Sequence, residues 1–112
     1  MDGLELVWEE HGGHAFALKA LVDGQVVGQA CGHWEPYACE LERVEVTETW
    51  RRHGVGQSLV HEVQAHADHV KACAVSAAGA KLLRECGFED FAEPDADWVW
   101  PPDWASAGDR DF

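Results

Sequence analysis

Apolar and polar residues alternate with a period of two through the first half of the chain. Leu4, Leu6 and Trp8 form one run, and Gly12-Gly13 then turns the chain. Phe16, Leu18, Ala20 and Val22 form the next, and Asp23-Gly24 is a two-residue hairpin signal leading into Val26-Val27-Gly28-Gln29-Ala30-Cys31. Successive side chains on a strand point to opposite faces, so each run predicts a strand with one buried face. After a loop carrying Pro36 and Tyr37, a fourth strand is expected from about Cys39 to Thr47. Its alternation slips: Cys39 and Leu41 share one parity, Val44 and Val46 the other. One extra residue near Glu42-Arg43, a β-bulge, would return all four to one face, and bulges collect beside functional sites.

The period then changes. Val55, Leu59, Val63 and Ala67 recur every four residues, an apolar stripe on a helix beginning near Gly54. A short strand is expected from about Val70 to Val75. Ser76 reads as the N-cap of a second helix, Ala77 to Cys86, which Gly87 closes as a left-handed residue. Beyond Phe88 the pattern weakens through Glu93-Pro94-Asp95-Ala96-Asp97, and Trp98-Val99-Trp100 is the candidate last strand. Four meandering strands, a helix, a strand and a helix predict an α/β protein with a mixed sheet. The 112 residues suit a single domain, 1–112, whose end from about 94 to 112 is an acidic, Trp-rich tail.

Composition narrows the function. An apolar share of 46% is that of a globular chain. No apolar run approaches the ~20 residues of a membrane span, and the N-terminus lacks a basic stretch before an apolar one, so neither membrane insertion nor secretion is expected. Eight Lys and Arg against 21 Asp and Glu give a net charge of −13. Such a surface repels nucleic acid and anionic lipid and favours cationic partners. The four cysteines contain no CxxC, which predicts reduced, mostly buried thiols in the cytoplasm. Among the seven histidines, His66 with His69, or His33 with Cys31, lack the spacing of a dedicated zinc site, and no metal is expected.

The informative segment joins the fourth strand to the first helix: Val44-Glu45-Val46-Thr47-Glu48-Thr49-Trp50-Arg51-Arg52-His53-Gly54-Val55-Gly56-Gln57-Ser58-Leu59. A basic, glycine-spaced turn opening directly into a helix is an anion cradle. Gly54 and Gly56 leave the backbone room to approach a phosphate, and the first-turn N–H groups lack helical acceptors. The helix dipole adds about 0.3–2 kcal/mol toward an anion. Arg51 and Arg52 beside His53 invert the sign of an otherwise acidic chain.

On these residues the chain resembles the GNAT superfamily of N-acetyltransferases. Arg51-Arg52-His53-Gly54-Val55-Gly56 is similar to that family's pyrophosphate loop, Arg/Gln-x-x-Gly-x-Gly/Ala, between a Val-rich strand and an amphipathic helix. Ser76-Ala77-Ala78-Gly79-Ala80-Lys81-Leu82-Leu83-Arg84-Glu85-Cys86-Gly87-Phe88 resembles the family's second helix, which commonly closes in Gly-Phe. The likeness covers about Glu40 to Phe88. It implies a GNAT-like mixed sheet of about five to seven strands with two main helices, and acetyl-coenzyme A as cosubstrate. The main chain from Val44 through Val46 to Thr47 would meet the acetyl carbonyl and pantetheine. The N–H groups of Arg52, His53, Gly54, Val55, Gly56, Gln57 and Ser58, beside Arg51, would hold the pyrophosphate. Ser76 stands where the family often has an Asn near the pantetheine.

Three departures matter. A Tyr common in the second helix, which protonates the departing thiolate, is Leu83 here. Only a Gly-Gly turn separates the first two strands, so the two helices that usually wall the acceptor site are missing. The last strand is indistinct.

The implied reaction is attack of an amine on a thioester. An alkylamine of pKa ~10.4 must lose a proton at neutral pH, which costs about 4–5 kcal/mol. A thiol of pKa ~8.5 leaves as thiolate for only about 2 kcal/mol. A base therefore matters more than an acid. Glu40 is the first candidate, by its match to a base in some histone-type members of the family. Glu42, Glu45 and His33 are rivals, and Tyr37 is either a loop cap or a substitute acid. The acceptor is expected to be a small-molecule or peptide amine, cationic to suit the acidic surface. The alternative reading is a non-catalytic acyl-coenzyme A-binding module. The missing helices and six tryptophans, three of them in the last fifteen residues, predict a homodimer.

Overall fold

The computed structural model describes residues 3–73, 76–90 and 98–102. Strands β1 (Leu4–His11), β2 (Ala15–Val22), β3 (Gln25–Trp34) and β4 (Cys39–Val46) form the antiparallel meander that the alternation predicts. The β2–β3 turn places Asp23 and Gly24 at φ 52° and 79°, the paired positive values that match a hairpin to the twist of its strands. Helix α1 (Val55–Ala65) crosses over to β5 (Val70–Ala72), which lies parallel to β4. Helix α2 (Ala77–Glu85), β6 (Glu89–Asp90) and β7 (Trp98–Trp100) complete a seven-stranded sheet of order β1-β2-β3-β4-β5-β7-β6. Only a turn joins β1 to β2, as expected.

The differences from the sequence pattern are local. Strand β5 stops at Ala72, with Cys73 already outside it, and the last two residues of its expected span, 74 and 75, lie outside the described residues, as does the tail beyond Pro102. Trp98–Trp100 does form a strand, antiparallel to β5. Strand β6 carries no hydrophobic signal because both its residues are acidic and exposed at the sheet's edge.

The α1 stripe does what its spacing implies. Val55, Leu59 and Val63 are buried with Phe16, Leu18, Ala20 and Ala30 of the sheet. Each such aliphatic side chain contributes about 1.5–3 kcal/mol by leaving water. Beyond the helix end, Trp8 packs on Phe16 at 5.4 Å and on His66 at 5.1 Å, and its indole N–H donates to Glu62 at 3.1 Å. His66 is thus part of an aromatic cluster. Cys39 and Cys86 are buried and Cys31 half-buried, but Cys73 is exposed, against the expectation of mostly buried thiols; none is in a disulfide.

The bulge lies where the parity slip puts it. Cys31 pairs with Arg43 and Gly32 with Leu41, leaving Glu42 without a partner on β3. Cys39 and Leu41 are buried, Val44 and Val46 are half-buried, and Glu42, Arg43 and Glu45 are exposed.

Candidate active site

Strand β4 pairs with β5 over three residues only, Cys39–Leu41 against Val70–Ala72. The bulge follows at once. Among the described residues, β4 from Glu42 onward has no strand on its β5 side, so main-chain groups there are left for another partner. The gap is the floor of a cleft of about 1390 Å³. Val44 and Val46 line it from β4, Thr47, Arg51, Arg52 and Gly54 from the turn that follows, Val55, Gly56 and Gln57 from α1, and Gly79 and Leu82 from α2 with its cap Ser76.

The turn is shaped by two left-handed residues, Arg52 at φ 68° and Gly54 at φ 82°. Gly54 caps α1 without any side chain bonding the helix end, and the main-chain N–H of Ser58 is the donor that reaches the Gly54 carbonyl, at 3.0 Å. The N–H groups ahead of Ser58 in the first turn therefore have no acceptor within the helix and open on the cleft. Gly56 is needed for packing as well, since a Cβ there would lie 3.3 Å from Leu82 of α2. The Gln57 amide donates to the Glu85 carboxylate at 2.8 Å and ties α1 to α2.

Some site residues expected from the sequence are occupied otherwise. Arg51 Nε donates to the Val46 carbonyl at 3.2 Å, so that acceptor on the free edge is already taken. His53 rests its ring against Trp50 at 5.4 Å, and Ser58 Oγ donates to the Gly54 carbonyl at 3.0 Å; neither lines the cleft. Ser76 Oγ accepts from the Gly79 N–H at 3.0 Å, which makes it the helix cap first.

A second group of residues gathers at the apex where β4 and β5 part. Because Cys39 and Leu41 face the helices, Glu40 between them faces the opposite side, directly across from His33 and beside Lys71. His33 Nδ1 lies 2.6 Å from Glu42, and its Nε2 is 3.3 Å from Glu40 and 3.4 Å from Glu35. Lys71 pairs with the other oxygen of Glu35 at 2.9 Å. The Glu42 carboxylate raises the His33 pKa above the usual 6.5, with Glu35 and Glu40 adding to it against partial desolvation. The Lys71 ammonium holds Glu35 below the usual carboxylate range. Glu45 stands apart, on the cleft wall with Arg43 at 3.5 Å, and Tyr37 is exposed in the β3–β4 loop. Glu35 and Lys71 carried no sequence signal, since their place depends on strand register alone.

A sequence model of the acetyltransferase (GNAT) family matches residues 2–88. The chain belongs to the GNAT family. No curated protein matches it in sequence. Solved GNAT structures share its fold. The PaiA N-acetyltransferase from Thermoplasma acidophilum, in complex with coenzyme A, superposes with a TM-score of 0.68 at 15% identity, covering 77% of this chain and 58% of that one. Nourseothricin acetyltransferase gives 0.62 at 19%, covering 78% and 64%. A GNAT family acetyltransferase from Elizabethkingia anophelis, with acetyl-CoA bound, gives 0.70 at 13%, covering 88% and 98%. This chain thus spans less than two thirds of the first two and nearly all of the third.

Leu83 stands where the resemblance implies a Tyr. It is 5% exposed and belongs to the core, so α2 offers no hydroxyl where the family often has a Tyr. The sheet face opposite the helices, by register the side of Val7, Lys19, His33 and Glu40, has no described helix over it.

Proposed function

We propose that this chain is an acetyl-CoA-dependent N-acetyltransferase acting on a primary amine of a cationic acceptor. One observation carries the reading: the free edge of β4 and the N-terminus of α1, which no side chain caps, open into the same cleft. The residues present fit an acylated coenzyme A. First-turn N–H groups from Gly54 to Gln57, with Arg51 and Arg52 alongside, suit a diphosphate, and main chain near Val44 to Thr47 suits an extended amide-bearing arm ending in a thioester.

The acceptor would approach from the face opposite the helices, where Glu40 and its neighbours give a negative mouth. An ammonium is held there, loses a proton to that cluster, and attacks the thioester carbonyl. The C–N bond forms, the C–S bond breaks, and coenzyme A leaves as thiolate. Leu83 leaves protonation of that thiolate to solvent, the smaller of the two proton problems. Incubation with acetyl-CoA and a panel of polyamines, aminoglycosides and peptides, read by release of free thiol, tests the reading. Turnover on an amine is the expected result. Tight binding of acetyl-CoA with no turnover would favour the second reading, a coenzyme A-binding module, for which the loss of the α2 hydroxyl is the motive.

A homodimer in the cytoplasm belongs to the same proposal. Trp98 is buried and Trp100 half-buried against their own sheet, so these do not anchor it. Among the described residues, exposed Val7 on the bare sheet face is the surface assigned to it. Four unpaired thiols suit a reducing compartment, and among the described residues no helix is long and apolar enough to cross a membrane. Light scattering at micromolar concentration reads the mass, and a monomer would overturn the dimer.

A further inference from the structure

We propose that His33, and not Glu40, takes the proton from the incoming ammonium, with Glu42 orienting the imidazole and Glu40 and Glu35 holding the cation beside Nε2. The inference rests on the acetyltransferase reading above and assigns the roles within that site.

Three carboxylates surround one imidazole, but they do not surround it alike. Glu42, at 2.6 Å, is the close partner and sits on Nδ1. Glu40 and Glu35 are further off, at 3.3 and 3.4 Å, and both face Nε2. In the neutral ring the short contact fixes the proton on Nδ1 and leaves Nε2 as the bare acceptor, the logic by which a carboxylate orients a catalytic imidazole. The two carboxylates beyond Nε2 cannot both be satisfied by a neutral ring. Lys71 already pairs with the far oxygen of Glu35; the Glu35 and Glu40 oxygens that face Nε2 make a place where an alkylammonium would put an N–H against Nε2.

A carboxylate of ordinary pKa ~4.3 is a poor match for an ammonium, whereas an imidazole flanked by negative charge is a better one. The groups facing His33 are Glu42 and Glu40 from β4, Glu35 after β3, and Lys71 from β5 through Glu35; its neighbour on β2 is the uncharged Ala15. The bulge has a function in this arrangement, because Glu42 is the residue without a β3 partner.

The step balances simply. The ammonium gives one proton to Nε2, forming an imidazolium on Glu42. The free amine attacks, the C–N bond forms as the C–S bond breaks, the acylated nitrogen releases its second proton to water, and the thiolate takes one up from water. His33, about one-third exposed, returns its proton to water.

Two measurements on the full chain separate this from its alternatives. Long-range nitrogen–proton NMR of histidine-labelled protein, with His33 assigned by His33→Gln, should show the Nδ1–H tautomer, and adding n-butylammonium should lower the His33 titration midpoint. An Nε2–H tautomer, or no movement of the midpoint, overturns the proposal whether or not the protein turns over. In the thiol-release assay with n-butylamine, His33→Gln should lower kcat by about 10²–10⁴ and abolish the acidic limb of the pH profile. Glu40→Gln should instead raise KM for the amine and keep that limb. A limb that survives in His33→Gln and vanishes in Glu40→Gln returns the role to Glu40. Absence of turnover in the parent, with the NMR result as expected, would instead count against the acetyltransferase reading itself.

Discussion

A Cβ placed on Gly32 would run into the main-chain carbonyl oxygen of Glu40. The two residues lie beside the bulge made by the extra Glu42, and only a residue without a side chain fits against the β4 main chain there. Gly32→Ala is therefore expected to cost about 1–3 kcal/mol by overpacking. Thermal unfolding should show a Tm lower by roughly 4–8 °C per kcal/mol. An unchanged Tm would mean that the strand can give way at the bulge.

Gly54 sits at φ 82°, a conformation that Asn also tolerates. Gly54→Asn and Gly54→Asp are nearly the same shape and differ in charge. Both variants should fold, and calorimetry should find coenzyme A bound at least about tenfold more weakly by the Asp variant, about 1.4 kcal/mol. Equal affinities would place the diphosphate elsewhere.

Ser76→Ala removes the acceptor for the Gly79 N–H and should lower stability by about 1 kcal/mol in urea unfolding, whereas Ser76→Asp should retain most of it. If the two substitutions behave alike, the cap is not what holds the start of α2.

Burial pushes the Cys39 thiol up to about 12 and the Cys86 thiol up to about 11. Thiolate is the reactive form, so at pH 8 only about 10⁻⁴ of a thiol with pKa near 12 is reactive. A chromogenic disulfide should react rapidly with Cys73, more slowly with the half-buried Cys31, and with the other two only after unfolding. Rapid reaction at all four positions in the native protein would contradict the packing around Cys39.

His33 also links stability to pH. Its folded pKa is raised, chiefly by Glu42, above the unfolded 6.5. The stabilisation is thus complete below 6.5 and fades as pH rises through the folded value. The Tm difference between the parent and His33→Gln should shrink from pH 6 to pH 8.5. A gap that is constant across that range would mean His33 is held by contacts that do not sense its charge.

Much of this fold is legible because burial leaves a mark on composition. Cys39 and Leu41 set against Val44 and Val46 locate the bulge to within a residue, and the glycine-spaced turn at Arg51–Gly56 marks the start of α1. Glu89 and Asp90 leave no such mark, since an exposed edge strand accepts almost any residue. The apex cluster is hidden for another reason. That His33 lies opposite Glu40 depends on the register of β3 against β4, which the bulge and the loop 35–38 set together. Glu35 meets Lys71 because the β4–β5 register sets Lys71 level with Glu40. The family resemblance ranks Glu40 first, and it takes the assembled sheet to show three carboxylates converging on one imidazole.

Removing Glu42 from the chain on paper puts Cys39, Leu41, Val44 and Val46 into strict alternation, with every apolar residue still facing the helices. The interior has no use for this residue. A strand written in a two-letter alphabet carries one letter too many, and the surplus sends the rest of the line away from its neighbour. The opening is thus held in the count of residues as much as in their kind. A one-residue deletion could close it while leaving the hydrophobic content of the molecule untouched, a change invisible to any measure that weighs composition alone.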